Sequence, residues 1–397
     1  MNTPTETPVV IAGTGIAGIT AAETLRGNGF TGPITVFGGE PDLPYRRTAL
    51  SKDLVGADVS IDKIALRKPE FWADKGIEVR AGVGITDVDA AKRTVTGSDG
   101  STTQYRALIL ATGGAPILPG WMDQVPSLRT RGDAEAIKAL IGSTQEFSVI
   151  GGGLIGLELA ASGAAAGYQV SVYERDDQLM GRVVPDVVSD FLLELHRAHG
   201  VTVHLGAQVA EAAANQLVLA DGTRRETTVI AAMGMCPETG LAAAAGADTT
   251  PVGVLVDDCL RTTVPGVYAA GDVAALPHPI TGDAGRAEHW MAATEQGRTV
   301  AATVIADLAD EPADPHRDVP LAWTIQYGTN IQIVGWPTLG DRMEIDGSVA
   351  DADATIRIFD EHGLIGGIAI GRPKDGRTIR SEIDLTSRPT ATQEVAV

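Results

Sequence analysis

Residues 149–160 read VIGGGLIGLELA, and the same device stands earlier as VIAGTGIAGITA at residues 10–21. Each is an apolar strand that runs into a glycine turn and then into a helix of small residues. In Gly13-Thr14-Gly15-Ile16-Ala17-Gly18 the first glycine permits the tight turn. The second lets the backbone approach a pyrophosphate, and the third lets the helix pack closely on the strand. The phosphates then face free N–H groups at the positive end of the helix. An acidic residue is due roughly 20 residues later to accept a ribose hydroxyl. Glu40 follows Gly18 by 22 residues, at the end of strand ITVF. In the second copy, Gly151-Gly152-Gly153-Leu154-Ile155-Gly156, Glu174 follows the last glycine by 18 residues, at the end of QVSVYE.

One such loop is a weak sign, because glycine-rich turns occur in any α/β protein. Here both copies carry the strand before, the helix after and the acid in register. Two dinucleotides therefore bind, and electrons pass between them. A carboxylate at Glu174 favours the 2′-OH of NAD and repels the 2′-phosphate of NADP, although Arg175 beside it offers a phosphate a partner. NADH is favoured over NADPH.

The rest of the chain is compatible with this reading. A length of 397 residues exceeds one simple core, and 44% hydrophobic residues with 47 glycines describe a globular α/β protein. No apolar run approaches the roughly 20 residues of a membrane span, and MNTPTETPVV lacks the charged start of a signal peptide. Two cysteines exclude a disulfide framework and point to a reducing, cytoplasmic home. The formal charge of −20 argues against nucleic acid and anionic membranes as partners.

Between the loops, KPEFWADKG is expected to be helical, and a DG turn at 99–100 closes a hairpin before the strand ALILATGG. After the second βαβ unit, a helix is expected over 186–199, then strands VTVHLG, LVLADG and TVIAAMG. VGVLVDDCLRTTVPGVYAAGDVA reads as two short strands, and a helix is expected over 285–308. DEPADPHRDVP (310–320) reads as a linker, and the alternating pattern beyond it as a small antiparallel sheet.

Taken together, PYRRTALSK (44–52), ILATGGAPILPG (109–120), VIGGGLIGLELA, TTVPGVYAAGD (262–272) and EHWMAATEQG (288–297) span nearly the whole chain. In that order they resemble the FAD-dependent, NADH-utilising ferredoxin reductases of the putidaredoxin reductase and aromatic-dioxygenase type. The resemblance implies an α/β fold of two Rossmann-like dinucleotide-binding domains, glutathione-reductase-like, plus a C-terminal α+β domain. It implies a discontinuous FAD-binding domain (1–113 and 248–317), an inserted NAD-binding domain (114–247) and a C-terminal interface domain (318–397).

In that family the first loop (Gly13, Gly15, Ala17, Gly18, with Glu40) binds FAD and the second (Gly151, Gly153, Ile155, Gly156, with Glu174) binds NADH. Asp272, after Gly271 in the AGD motif, would bond the ribityl or pyrophosphate region of FAD. Ala111-Thr112-Gly113 would approach the cofactor where the chain leaves the FAD domain, and Gly234, in GMCP, marks the exit from the NAD domain. PYRRTALSK places Arg47 and Lys52 on matching family positions, with Arg46 for Asp and Thr48-Ala49 for two prolines as departures. Lys52 and Glu158 would form an ion pair beside the flavin N5 edge, the alternative being a surface-paired helix residue at 158. Glu288 and His289 would help bind the cofactor, Trp290 would lie near the flavin pyrimidine, and Trp323 would shield the other face. Ordinary core tryptophans are the competing reading. The family's Phe-Trp-Ser-Asp is replaced by Ala322-Trp323-Thr324-Ile325.

No cysteine stands in residues 38–52, where disulfide reductases of this architecture keep redox thiols. Cys236 and Cys259 lack a redox-motif spacing and read as small buried hydrophobes, and no His/Cys/Asp cluster has metal-ligand spacing. With no thiol to receive the electrons of NADH, the flavin itself must pass them on. Flavin can accept two electrons and release them singly, which suits a one-electron iron–sulfur acceptor. The resemblance implies a [2Fe-2S] ferredoxin serving a cytochrome P450 or ring-hydroxylating oxygenase, and a monomer or weak dimer. Docking on so acidic a chain needs a local basic patch. Candidates are Arg372, Lys374, Arg377 and Arg380, with Lys63, Arg67 and Lys68, unless each is a solvated loop charge. Other acceptors (rubredoxin, oxygen, a quinone) or an apoptosis-inducing-factor-like binding flavoprotein are the alternatives.

Overall fold

The computed structural model describes residues 7–386 apart from 53 and 57. The strand Val9–Ala12 is buried at all four residues, as an apolar run between two covered sheet faces should be. It is the middle of a five-stranded parallel sheet in the order Val267–Ala269, Ala107–Leu110, Val9–Ala12, Ile34–Gly38, Ile77–Ala81. The edge strand Val267–Ala269 comes from far along the chain, so this first sheet is completed only after the second βαβ unit has been traversed. The helix Ile16–Gly27 packs on the helix Trp290–Ala309, and glycine makes that approach possible. A Cβ at Gly297 would stand 2.9 Å from the Cβ of Thr20 and would also meet the backbone of Ala17.

The second glycine stretch repeats the plan. Thr202–His204, Gln169–Tyr173, Glu146–Ile150 and Thr228–Ala231 form a parallel sheet in that order. The helix Leu154–Ala165 follows the central strand and is buried from Gly156 to Gly163. Its small residues matter, since a Cβ on Gly163 would strike the Phe147 ring and come within 3.0 Å of Val170. The third layer is an antiparallel sheet, Leu321–Gln326, Thr329–Gly335, Gly363–Ile370, Asp353–Asp360 and Arg342–Ser348, backed by the helix Asp375–Glu382. No helix among the described residues is long and apolar enough to cross a membrane.

Two expectations are corrected, and one is refined. The helix expected from 285 starts at Trp290, with His289 in extended conformation at its N-cap. Ala284–Gly285 pair instead with Leu276–Pro277, and Arg286 is held by Glu288 and by the carbonyl of Met235, which draws 284–289 away from helical geometry. Cys236 is exposed rather than buried, because its short strand Met235–Pro237 pairs only with Gly114–Pro116. The 310–320 segment has no regular element, yet it is strapped down. The His316 N–H donates to Asp258 O at 2.6 Å, and Asp318 pairs with Arg380.

Candidate functional site

The two glycine turns are built alike to the atom. Gly13 has φ +125° and Gly151 φ +110°, conformations that L side chains rarely adopt. A Cβ on Gly13 would fall on the carbonyl of Ala111, 2.7 Å from its carbon; on Gly151 it would fall on that of Ala232, 2.8 Å from its carbon. Gly18 and Gly156, the third glycines, press against the carbonyls of Gly13 and Gly151. The middle glycines differ. Gly15 and Gly153 have extended backbones with nothing of the protein within 4 Å of an added Cβ. The fold itself does not require glycine at either place, so the room is left for something that approaches from outside. Neither N-cap supplies a side-chain acceptor to the first-turn N–H groups, which leaves both helix starts open to an anion.

The first turn opens into a cleft of about 470 Å³, within the ~300–1,000 Å³ common for cofactor sites. It gathers Gly13, Gly15, Ala17, Glu40, Arg47, Lys52, Ala111, Thr112, Gly113, Glu158, Gly271, Asp272, Glu288, His289, Trp290 and Trp323. Ile155, expected at the second loop, also lines it, because the first turn of the helix Leu154–Ala165 forms one wall. Gly151, Gly153, Gly156 and Glu174 are not part of that lining and belong to the second turn, and Gly234, beside Ile117 and Arg182, is not brought into the cleft either. The two turns therefore sit on either side of one helix start.

Asp272 is carried into the cleft by the strand Val267–Ala269 and the turn at Gly271, φ +82°. The Gly271 N–H donates to Gln296 Oε1 at 2.7 Å, which fixes the turn. Burial pushes the Asp272 carboxyl up, and Arg129, 3.6 Å away, works against that. Burial lowers Arg129 and His289 in turn. Glu40 is fixed by Arg47 and the Tyr45 hydroxyl, while Arg47 also donates to the carbonyl of Arg129 at 2.9 Å. This cradle of backbone glycines, a buried acceptor and arginines is the chemistry a dinucleotide with a ribityl chain needs, and the residues present fit FAD.

Glu158 is 2% exposed, which rules out the surface reading. Its carboxylate accepts from Lys52 Nζ at 2.9 Å, from Thr324 Oγ1 at 2.8 Å and from the Ser51 hydroxyl. Lys52 also donates to the carbonyl of Trp323 at 3.1 Å and lies 5.1 Å from that ring's centre. At the second turn, Glu174 accepts from Gly152 N at 2.6 Å and Asp176 N at 2.9 Å, one bond to each oxygen. Arg175 is exposed and leans on Asp176.

Some functional positions were not singled out from sequence. Ser51 sits inside PYRRTALSK and Gln296 inside EHWMAATEQG, so their signal was present but unassigned. Thr324 stands out in the sequence only as a departure from the family pattern. Arg129 had no local signal at all. The basic stretch 371–381 is largely spoken for: Arg372 pairs with Asp346 and Asp353, and Arg380 with Asp318. Of the other candidates, Arg67 pairs with Glu23. Asp257, Asp258 and Cys259 place ligand atoms within 4.8 Å of one another. There Asp257 accepts from Cys259 N, Arg261 N and the Arg261 side chain, so its oxygens close a turn.

Residues 7–297 match the pyridine nucleotide-disulphide oxidoreductase family model, and residues 321–396 match the reductase C-terminal model. The chain is 35% identical to the 5,5′-dehydrodivanillate O-demethylase ferredoxin reductase subunit of Sphingobium, covering 92% of this chain and 90% of that one. It is 33% identical to rhodocoxin reductase of Rhodococcus erythropolis, over 98% and 92% respectively. Among solved structures, the covalent putidaredoxin reductase–putidaredoxin complex superimposes with a TM-score of 0.88 at 31% identity, over 96% of this chain and 93% of that one. The chain therefore belongs to the pyridine nucleotide-disulphide oxidoreductase family and stands, within it, with the ferredoxin reductases.

Proposed function

We propose that this chain is an FAD-dependent ferredoxin reductase that takes electrons from NADH and passes them singly to a [2Fe-2S] ferredoxin. That ferredoxin would serve a cytochrome P450 or a ring-hydroxylating oxygenase. The observation that carries the proposal is the pair of matched glycine cradles on either side of one helix start, with the Lys52–Glu158 pair lining the cleft of the first. Bound FAD would supply the conversion of a two-electron donor into one-electron steps. The chain's own residues do the rest. Gly13, Gly15 and Gly18 admit the pyrophosphate, Glu40 accepts from a ribose, and Asp272 with Arg129 holds the middle of the cofactor. Lys52, held by Glu158, sets a fixed positive charge at the inner end of the cleft, and Trp290 and Trp323 exclude water there.

We assign the FAD-binding domain to 1–113 and 248–317, the NAD-binding domain to 114–247 and the C-terminal domain to 318–397. Residues 1–6, 53, 57 and 387–397 of these ranges lie outside the described residues. A cytoplasmic location completes the proposal and rests on two unpaired cysteines, Cys236 and Cys259.

The test is NADH-driven reduction of cytochrome c by the purified flavoprotein, with and without a [2Fe-2S] ferredoxin. A large ferredoxin-dependent rise is expected; fast NADH oxidation with no ferredoxin effect points to another acceptor. The same assay separates the basic residues. Arg377→Glu should raise the apparent KM for ferredoxin roughly threefold to tenfold, as the loss of an exposed steering charge does. Arg380→Glu should lower thermal stability instead, since Arg380 is bound to Asp318 and to the Val319 carbonyl. An unchanged KM in Arg377→Glu removes this face from the docking surface.

Glu174 decides the nicotinamide cofactor. With each oxygen already bonded by a backbone N–H, its carboxylate is held in one orientation and keeps lone pairs to accept from a ribose. Glu174→Ala should cost NADH roughly 10-fold or more in kcat/KM and narrow the gap to NADPH, with Arg175 free to meet a 2′-phosphate. An unchanged NADH/NADPH ratio would show that Glu174 only closes its own turn.

A further inference from the structure

The hydrogen bonds do not stop at Glu158. Thr324, 1% exposed, donates to the Glu158 carboxylate, and Gln326 Nε2 donates to Thr324 Oγ1 at 3.3 Å. Gln326 Oε1 lies 2.8 Å from Nε2 of His196, and the Tyr327 hydroxyl lies 3.0 Å from Nδ1 of the same ring. Gln326 and His196 have no exposed surface. Four parts of the chain are thereby tied together: Ser51 and Lys52, the helix Leu154–Ala165, the strand Leu321–Gln326 and the helix Asp186–Ala198.

The direction of every proton follows from one end. An ionised carboxylate can only accept, so Thr324 gives its single proton to Glu158 and must accept from Gln326. The Gln326 amide therefore turns its nitrogen to Thr324 and its oxygen to His196. His196 must then carry its proton on Nε2, which leaves Nδ1 to accept from the Tyr327 hydroxyl. The opposite tautomer of His196 would invite Gln326 to turn over, present oxygen to Thr324 and draw the hydroxyl proton away from Glu158. Burial supports the neutral ring, lowering His196 to about 4. The titratable groups facing it are Tyr327 from the strand end, itself raised by burial, and His199 on its own helix, stacked on the Tyr327 ring at 3.7 Å.

We propose that His196 is a positioning residue for the Lys52–Glu158 pair: held with its proton on Nε2, it orients Gln326 and, through Thr324, aims the Glu158 carboxylate at Lys52. The chemistry this serves rests on the reductase reading above; the bond chain itself does not.

Two measurements test it. In holoprotein labelled with ¹⁵N-histidine, the proton–nitrogen correlation spectrum should show one ring, assigned by its loss in His196→Gln, that stays a neutral Nε2–H tautomer from pH 8 to pH 5. An Nδ1–H tautomer, or titration at the ordinary histidine value, overturns the proposal. The second is a double-mutant cycle on the rate of flavin reduction at saturating NADH. His196→Leu and Thr324→Val should each slow it roughly threefold to tenfold, the worth of one hydrogen bond, with KM for NADH unchanged. The double variant should be no slower than Thr324→Val alone, the flavin reduction potential should move in the same direction in all three, and His196→Gln, which keeps a donor near Nε2, should restore both. Additive losses, or a potential that moves in only one single variant, overturn it. If His196→Leu does not fold, Gln326→Met takes its place in the cycle. The spectra and the potential need no ferredoxin, so failure of the ferredoxin reading would leave them unmoved.

Discussion

Gly13→Ala should yield a protein that no longer holds flavin, and Gly151→Ala one that stays yellow but is not reduced by NADH. The reason is backbone against backbone. At each position the new methyl meets a peptide carbonyl, of Ala111 or Ala232, with no flexible side chain to yield, and each residue has φ above +100°. Strain of that kind costs on the order of 1–3 kcal/mol before the clash is relieved, and relief means moving the turn proposed to admit the pyrophosphate. Flavin absorbance of the purified protein reads the first effect. The second is read by stopped-flow reduction, where dithionite should still bleach Gly151→Ala and NADH should act at least roughly 100-fold more slowly than in the parent. Gly153→Ala is the informative companion. Nothing of the protein stands within 4 Å of a Cβ there and φ is −83°, so the fold should not notice the methyl. A rise of about 10-fold or more in KM for NADH would then come from the ligand's side alone. If Gly151→Ala sheds flavin instead, the two sites have been assigned the wrong way round.

These predictions could be framed from sequence because everything they use is local: a strand, three glycines, a helix and an acid within some 30 residues. The Lys52–Glu158 pair spans more than 100 positions, and no spacing rule joins its members; a family resemblance placed it and burial confirmed the contact. Arg129 had neither kind of signal. It is a charge in the ordinary stretch SLRTRGD, and only the return of the chain beside the AGD turn brings it to Asp272. Similar non-local pairing explains the misplaced helix start. The run from 285 looks helical, but strand pairing at Ala284–Gly285 and the Arg286–Glu288 contact claim the residues first. It also explains the basic patch, where Arg372 and Arg380 look free in sequence and find acids on other strands and on the 310–320 strap.

Removing either member of the buried pair should damage catalysis alike and stability unequally. In Lys52→Met, Glu158 at 2% exposure loses its counter-ion and keeps only the Ser51 and Thr324 hydroxyls. A buried charge stripped of its counter-ion costs about 3–5 kcal/mol, and somewhat less here because Lys52 keeps a fifth of its side chain toward the cleft. In Glu158→Gln no charge is stranded in the interior. The amide can keep its oxygen toward Lys52 and Thr324 and turn its nitrogen to the Ser51 hydroxyl, which rotates to accept, and the loss should be about 1–2 kcal/mol. The double variant should therefore be more stable than Lys52→Met alone. Catalysis follows a different order. Lys52 contributes only if its charge is held at one place, and Glu158 is what holds it, so each single variant and the double should slow NADH-driven flavin reduction by a similar factor, roughly 10- to 100-fold. Thermal melts and stopped-flow traces on the same four proteins separate the two roles. Recovery of stability without recovery of rate makes the pair functional. A double variant that reduces its flavin as fast as the parent makes it a device of folding only, and the cleft would then owe its reactivity to the tryptophans and the glycine turns.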